Sequence, residues 1–143
     1  MRFRKYLSEK YAATTAYLFI GYIPEYNDLY DHLQKAGFIL KFKPVLPDNN
    51  GKPKGNVDAD LVLQVMLDYK IYDKAVIISS NGNFYSLVRH LYNNDKLKKV
   101  LSPYIKTCST LLKKTAKEKI IYMDNLRKKI GKKANYNKKK NTA

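Results

Sequence analysis

The apolar run Ala75-Val76-Ile77-Ile78 constrains the fold more than any other part of this chain. Consecutive residues of a strand point to opposite faces, so a strand that is apolar throughout must be buried on both sides. Such strands are typical of the centre of a parallel sheet that has helices on both faces. The run therefore predicts a strand over residues 74–79 and an α/β domain around it.

The segments around this run alternate between strand patterns and helix patterns. Strands are predicted over residues 15–22, 38–43, 74–79, 97–101 and 120–122. Helices are predicted over residues 2–13, 24–36, 57–69, 84–92 and 123–130, with a short one starting at Ser109. Residues 44–56 are rich in Pro, Gly, Asn and Asp and predict a loop. This order predicts a mainly parallel sheet in a three-layer domain with right-handed crossovers.

The chain has 143 residues, which suits one domain. Its net charge of +16 is the second strong feature of the sequence. Thirteen basic and two acidic residues give residues 101–143 a net charge of +11. A basic surface gains affinity for phosphates by releasing their counterions, so we expect a nucleic acid as partner. The alternative is a solvated lysine-rich face with no specific partner. Residues 132–143 hold almost no large apolar side chains and predict a basic, disordered tail.

Several classes of protein are disfavoured by the composition. A single cysteine, Cys108, rules out a disulfide within the chain and fits a reducing, cytoplasmic compartment. We expect Cys108 to be a small core or helix-start residue. His32 and His90 lack the spacing of a zinc site. The longest apolar stretch, residues 16–23, is too short to span a membrane, so no membrane association is expected.

Two polar segments are expected at the carboxyl edge of the sheet, where open parallel sheets bind their ligands. One is the loop that leads into Asp58 and Asp60. The other is the turn after the central strand, which is the sequence Ser79-Ser80-Asn81-Gly82-Asn83. The structural alternatives are that the two aspartates only favour a helix N-terminus, that Asn81-Gly82 is only a turn, and that Asn83 only caps a helix.

Three segments resemble one known family over residues 6–130. They are KGNVDADL at residues 54–61, YDKAVIIS at residues 72–79 and SNGNFYSLV at residues 80–88. They are similar to the NYN domain, in its LabA-like branch (domain of unknown function 88), which belongs to the PIN-like ribonucleases. The resemblance implies a PIN-like, Rossmann-like fold. It also implies an endoribonuclease in which clustered carboxylates hold Mg²⁺ or Mn²⁺ for RNA phosphodiester hydrolysis.

The resemblance also assigns roles to residues. Asp58 matches a motif carboxylate, whereas Asn81 and Asn83 stand where the family has aspartates. We take these three as the catalytic positions, and Asp58 with the carbonyl oxygen of Asn81 as the metal ligands. The residues expected to contact RNA are Lys43, Lys54, Ser79, Ser80, Tyr85 and Arg89. Two amides in place of carboxylates predict weak or no activity. The alternatives are a non-catalytic RNA-binding or regulatory module and a truncated gene product.

The resemblance further implies that the family's first strand, with its aspartate, is missing. Residues 1–131 would then form an N-terminally incomplete domain, followed by the tail at residues 132–143. Three consequences are open: a fragment of a longer product, direct closure of the gap into a four-stranded sheet, or a homodimer in which a second copy fills an unpaired sheet edge. For this chain alone, direct closure is the expectation.

Overall fold

The computed structural model describes residues 2–44, 46–47, 49, 53–54 and 57–125. Its helices are α1 (Arg2–Tyr11), α2 (Asn27–Lys35), α3 (Asp58–Leu67), α4 (Tyr85–Asn93) and α5 (Thr110–Ala116). Its strands are β1 (Tyr17–Tyr22), β2 (Ile39–Pro44), β3 (Leu46–Pro47), β4 (Pro53–Lys54), β5 (Ala75–Ile78), β6 (Leu97–Ser102) and β7 (Ile120–Tyr122). Single 3₁₀ turns cover Pro24–Tyr26, Gly82–Phe84, Lys117–Lys119 and Met123–Asn125.

The long strands are parallel, as the alternating pattern predicts. β1 pairs with β2, with Tyr17 opposite Ile39. β5, β6 and β7 form a second sheet in that order, with Ile77 opposite Val100 and Val100 opposite Ile120. The α/β fold class is confirmed.

Alternate side chains of the strands enter two hydrophobic clusters, one on each face. Phe19 of β1 packs in the same cluster as Ile77 of β5, together with side chains of α3, α4 and α5. Its neighbours Leu18 and Ile20 pack in the other cluster, with Leu101 of β6 and side chains of α1 and α2. Because both sheets contribute to both clusters, they lie in one layer between two layers of helices.

The expected direct closure of the gap into one four-stranded sheet is wrong. β1 pairs only with β2, and β5 pairs only with β6, so among the described residues no backbone ladder joins the two sheets. Large side chains from both sheets fill the shared clusters on each face. Hydrophobic packing therefore joins the sheets, and among the described residues β1 and β5 each have a partner strand on one side only.

The expected loop at residues 44–56 is also partly wrong. β3 and β4 form a short antiparallel hairpin in which Leu46 lies opposite Lys54 and Pro47 lies opposite Pro53. Two-residue strands carry no periodicity that a sequence pattern can detect, and both contain proline, which is usually a sign against a strand.

Three further observations concern single residues. The apolar spacing in the helix predicted over residues 57–69 predicts a buried stripe that includes Leu61 and Met66. Leu61 is 2% exposed, but Met66 is 40% exposed. The turn before α4 is capped by Asn81 and not by Asn83. Cys108 is buried, as expected for a core residue. The predicted tail and the end of the predicted last helix lie outside the described residues. Among the helices of the described part, none has the length and apolar character that a membrane span requires.

Candidate functional site

The candidate site lies at the carboxyl edge of the sheet, where β5 ends at Ile78 and the chain turns into α4. Here the turn that contains Ser79, Ser80, Asn81 and Asn83 contacts Asp58, the first residue of α3, through the side chain of Asn81. The structure thus brings together the two polar segments that the sequence placed at this edge. We call these five residues the candidate site.

Asn81 connects the candidate site through three hydrogen bonds. Its side-chain Nδ2 donates to Oδ2 of Asp58 at 3.0 Å. Its Oδ1 accepts from the backbone N–H of Asn83 at 2.9 Å, and its own backbone N–H donates to Oγ of Ser79 at 3.0 Å. Both ends of the amide are therefore committed: the oxygen closes the turn, and the nitrogen faces the carboxylate.

Serine side chains hold the turn against the rest of the sheet. Ser80 Oγ lies 2.8 Å from Oγ of Ser102, which is fully buried at the end of β6. The carbonyl of Ser80 accepts from the backbone N–H of Ser109 at 3.1 Å. The turn also packs closely there, because a Cβ added to Gly82 would lie 3.0 Å from Cβ of Ser109 and closer still to its Oγ.

Sequence reasoning missed that Ser102 and Ser109 support the candidate site through Ser80. Ser102 could have been found, because it directly follows the strand predicted over residues 97–101 and ligand sites lie beyond strand ends. Ser109 was identified only as a helix start. Its side chain does accept from the backbone N–H of Leu112 at 3.4 Å, as that role predicts. Its contact with Gly82 is a tertiary feature without a local sequence signal.

Asp58 and Asp60 point to different partners, as their spacing on a helix predicts. Asp58 is half-buried and contacts Asn81, whereas Asp60 is exposed and lies 3.9 Å from Nζ of Lys43. The expected RNA-contacting Lys43 therefore stands beside the start of α3. The backbone of Lys54 lies in β4, and its side chain falls outside the described residues.

Tyr85 and Arg89, the other expected RNA contacts, lie one turn apart on α4. The guanidinium carbon of Arg89 is 5.4 Å from the centre of the Tyr85 ring. A shallow depression of about 500 Å³ extends from Asp58 and Asn83 along apolar side chains of α3 to Met66. The candidate site is therefore followed by cationic and aromatic side chains on α4 and by apolar side chains on α3.

A parallel α/β domain with a polar site at its carboxyl edge is the arrangement of the PIN-like nucleases. The family model of the NYN domain matches residues 1–124, so the chain belongs to the NYN domain family and, through it, to the PIN-like nuclease superfamily. RNA is the substrate that this membership suggests, and divalent metal ions are general in these nucleases.

The fold itself recurs in a solved structure. A protein of unknown function from Vibrio parahaemolyticus matches with a TM-score of 0.65 and 22% sequence identity, over 84% of this chain and 78% of that one. At this identity the likeness shows the fold alone. No curated protein matches the chain significantly.

The described residues of the candidate site do not fit a resident divalent metal ion. Hard cations require several oxygen ligands, and carboxylates supply most of the charge that holds them. Within the part of the chain that the structure describes, no three His, Cys, Asp or Glu side chains form a metal-binding group. Asn81 turns its nitrogen toward Asp58, and its oxygen is occupied by the turn. Asp58 is thus the one carboxylate in the candidate site.

Proposed function

We propose that this NYN domain binds single-stranded RNA at the candidate site and hydrolyses it weakly or not at all. The observation that carries the proposal is the 3.0 Å hydrogen bond from Nδ2 of Asn81 to Oδ2 of Asp58. The resemblance to the NYN domain implies a second carboxylate at position 81, where this chain has the amide. An amide donor at that place satisfies Asp58 and needs no cation.

Loss of metal affinity and retention of RNA affinity are compatible, because they depend on different groups. A metal ion requires clustered negative charge, which the two asparagines do not supply. RNA binding requires positive charge and flat rings near the site. Lys43, Tyr85 and Arg89 border it, in a chain whose net charge is +16.

The double variant Asn81→Asp/Asn83→Asp tests the proposal. A carboxylate at position 81 would face that of Asp58 at the distance now bridged by the amide, so two like charges would repel. We expect the variant to unfold at a lower temperature than the parent without metal and to be restored by Mn²⁺, because the ion neutralises the pair. The matched control is Gln34→Glu/Asn93→Glu, which adds the same charge at exposed positions of α2 and α4.

Cleavage and binding of a labelled single-stranded RNA complete the test. We expect the parent to bind with strong salt dependence and to cut slowly or not at all with Mn²⁺, and the double variant to cut faster. A parent that cuts as fast as the variant would contradict the depleted site. A parent that does not bind RNA at low salt would contradict RNA as the ligand. If both bind and neither cuts, the domain is a non-catalytic RNA-binding module, which is the second candidate.

A further inference from the structure

Two helices begin at the candidate site, and they differ in charge. α3 starts with Asp58, contains Asp60 and has no lysine or arginine over Asp58–Leu67. Its outer face carries apolar side chains, with Leu63 57% exposed and Met66 40% exposed. α4 has no acidic residue over Tyr85–Asn93 and carries Arg89. A phosphate backbone that leaves the candidate site therefore meets two carboxylates on α3 and the cationic Arg89 on α4.

Aromatic and basic residues of α4 lie on one stripe. Tyr85, Arg89 and Tyr92 follow the spacing i, i+4, i+7, which places them on the same side of the helix. Leu87, Val88 and Leu91 take the buried side. Arg89 is exposed, and the two tyrosines are half-buried. The stripe runs about 10 Å along the helix and starts two residues after Asn83 of the candidate site.

A second cation stands at the far end of the stripe. Nζ of Lys117 lies 4.9 Å from the centre of the Tyr92 ring. The contact is of the same type as that between the Arg89 guanidinium and the Tyr85 ring. Lys117 has a φ of +54°, a backbone conformation that residues with a Cβ rarely adopt. The Tyr92 hydroxyl donates to Glu118 Oε1 at 2.7 Å, which lowers the pKa of Glu118.

We infer that Tyr85, Arg89, Tyr92 and Lys117, here called the α4 track, bind the part of a single-stranded RNA that extends beyond the candidate site. This inference rests on the proposed RNA binding and adds the course of the strand. Each ring offers an unpaired base the surface that its cation leaves uncovered, and the cation over the ring can contact the adjacent phosphate. Bases in a duplex are already stacked on each other, so the α4 track selects a single strand.

Charge reversal tests the electrostatic half of the inference. The variant Arg89→Glu/Lys117→Glu is compared with Lys10→Glu/Lys35→Glu, which makes the same charge change at exposed positions of α1 and α2. The ligand is a labelled oligouridylate of roughly 12 nucleotides, a length within the range that small single-strand binding domains cover. We expect the track variant to bind at least tenfold more weakly than the control pair. Its salt dependence should also fall by about 1.4 in slope, for two lost phosphate contacts.

Ring substitution tests the stacking half. Tyr92→Leu should weaken oligouridylate binding by about 5- to 100-fold, whereas Tyr92→Phe, which keeps the ring and loses the hydrogen bond to Glu118, should bind like the parent. Heparin, a polyanion without bases, serves as the second ligand. Its binding should fall with charge reversal and stay unchanged in Tyr92→Leu.

The results separate the α4 track from the proposed function. If the parent binds the oligouridylate and the track variant matches the control pair, the α4 track is wrong and RNA binding stands. If Tyr92→Phe binds as weakly as Tyr92→Leu, or if Tyr92→Leu also lowers heparin binding, the ring does not stack bases. If the parent binds no RNA at low salt, the proposed function itself fails.

Discussion

A single atom of one residue decides the electrostatic state of the candidate site. Asparagine and aspartate share an oxygen that can accept from the backbone N–H of Asn83, so either would close the turn. They differ in the second side-chain atom, which faces Asp58. An amide nitrogen there donates to the carboxylate, whereas a carboxylate oxygen would need a cation between the two. Asn81 therefore closes the turn as an aspartate would, and its nitrogen satisfies Asp58 without a cation.

Tyr72 allows a prediction about pH at the same scale. Its hydroxyl donates to the carbonyl of Val65 at 3.2 Å. Burial raises its pKa to about 12, and the nearby Tyr69 and Asp68 add to the effect. The raised pKa means that the folded state disfavours the ionised phenol. The contribution of the neutral Tyr72 phenol to the free energy of unfolding is therefore complete below the unfolded-state pKa near 10. It is lost as the pH rises from about 10 to about 12.

We expect Tyr72→Phe to lower the free energy of unfolding by about 1 kcal/mol at neutral pH, because one partly buried hydrogen bond is lost. The loss of stability between about pH 10 and 12 should also become less steep, since one titrating group is gone. Urea unfolding across this range measures both effects. Tyr22→Phe, which removes an exposed hydroxyl bond to Asn27, is the control. If the free energy of unfolding of Tyr72→Phe fell as steeply with pH as that of the parent, the raised pKa would not belong to Tyr72.

At the scale of elements, the start of α5 and the turn before α4 fix each other. The backbone N–H of Ser109 donates to the carbonyl oxygen of Ser80. Ser109 also lies so close to Gly82 that a Cβ at position 82 would have no room. The close approach, and not a special backbone angle, is what requires glycine at position 82.

This contact predicts non-additive substitutions. Gly82→Ala should cost about 1–3 kcal/mol of stability through overpacking. Ser109→Gly alone should cost only a few tenths, because glycine is tolerated as a helix cap. In the double variant the added methyl meets open space, so the cost of Gly82→Ala should largely disappear. Chemical denaturation of the four proteins gives the coupling, and an equal cost of Gly82→Ala in both backgrounds would refute the steric explanation.

Sequence patterns predicted most of the elements because their signals are local. The run that includes Ile77 is a strand, and even the three-residue strand Ile120–Tyr122 was found. The gap between the sheets and the β3–β4 hairpin were missed, because both depend on which distant backbones pair. The same limit applies to the candidate site. Asp58 and Asn81 were both identified, but their mutual hydrogen bond over a separation of 23 residues is a product of the fold.

At the scale of the whole molecule, unpaired strand edges and a high net charge act against each other. β1 and β5 each have one edge without a described partner strand, which favours pairing with another chain. A net charge of +16 on each copy opposes the approach of two copies. Association should therefore be controlled by ionic strength.

We expect the chain to be monomeric at about 0.1 M salt and to form a homodimer through these edges at about 1 M, where the Debye length falls from about 10 Å to about 3 Å. Analytical ultracentrifugation at both concentrations gives the oligomeric state, and hydrogen exchange gives its location. β6 pairs on both sides within one chain, so its amides are the internal reference and should not change. Amides of β1 and β5 should become better protected at high salt. A chain that stays monomeric in about 1 M salt, or a dimer that leaves the β1 and β5 amides unprotected, would show that these edges do not pair.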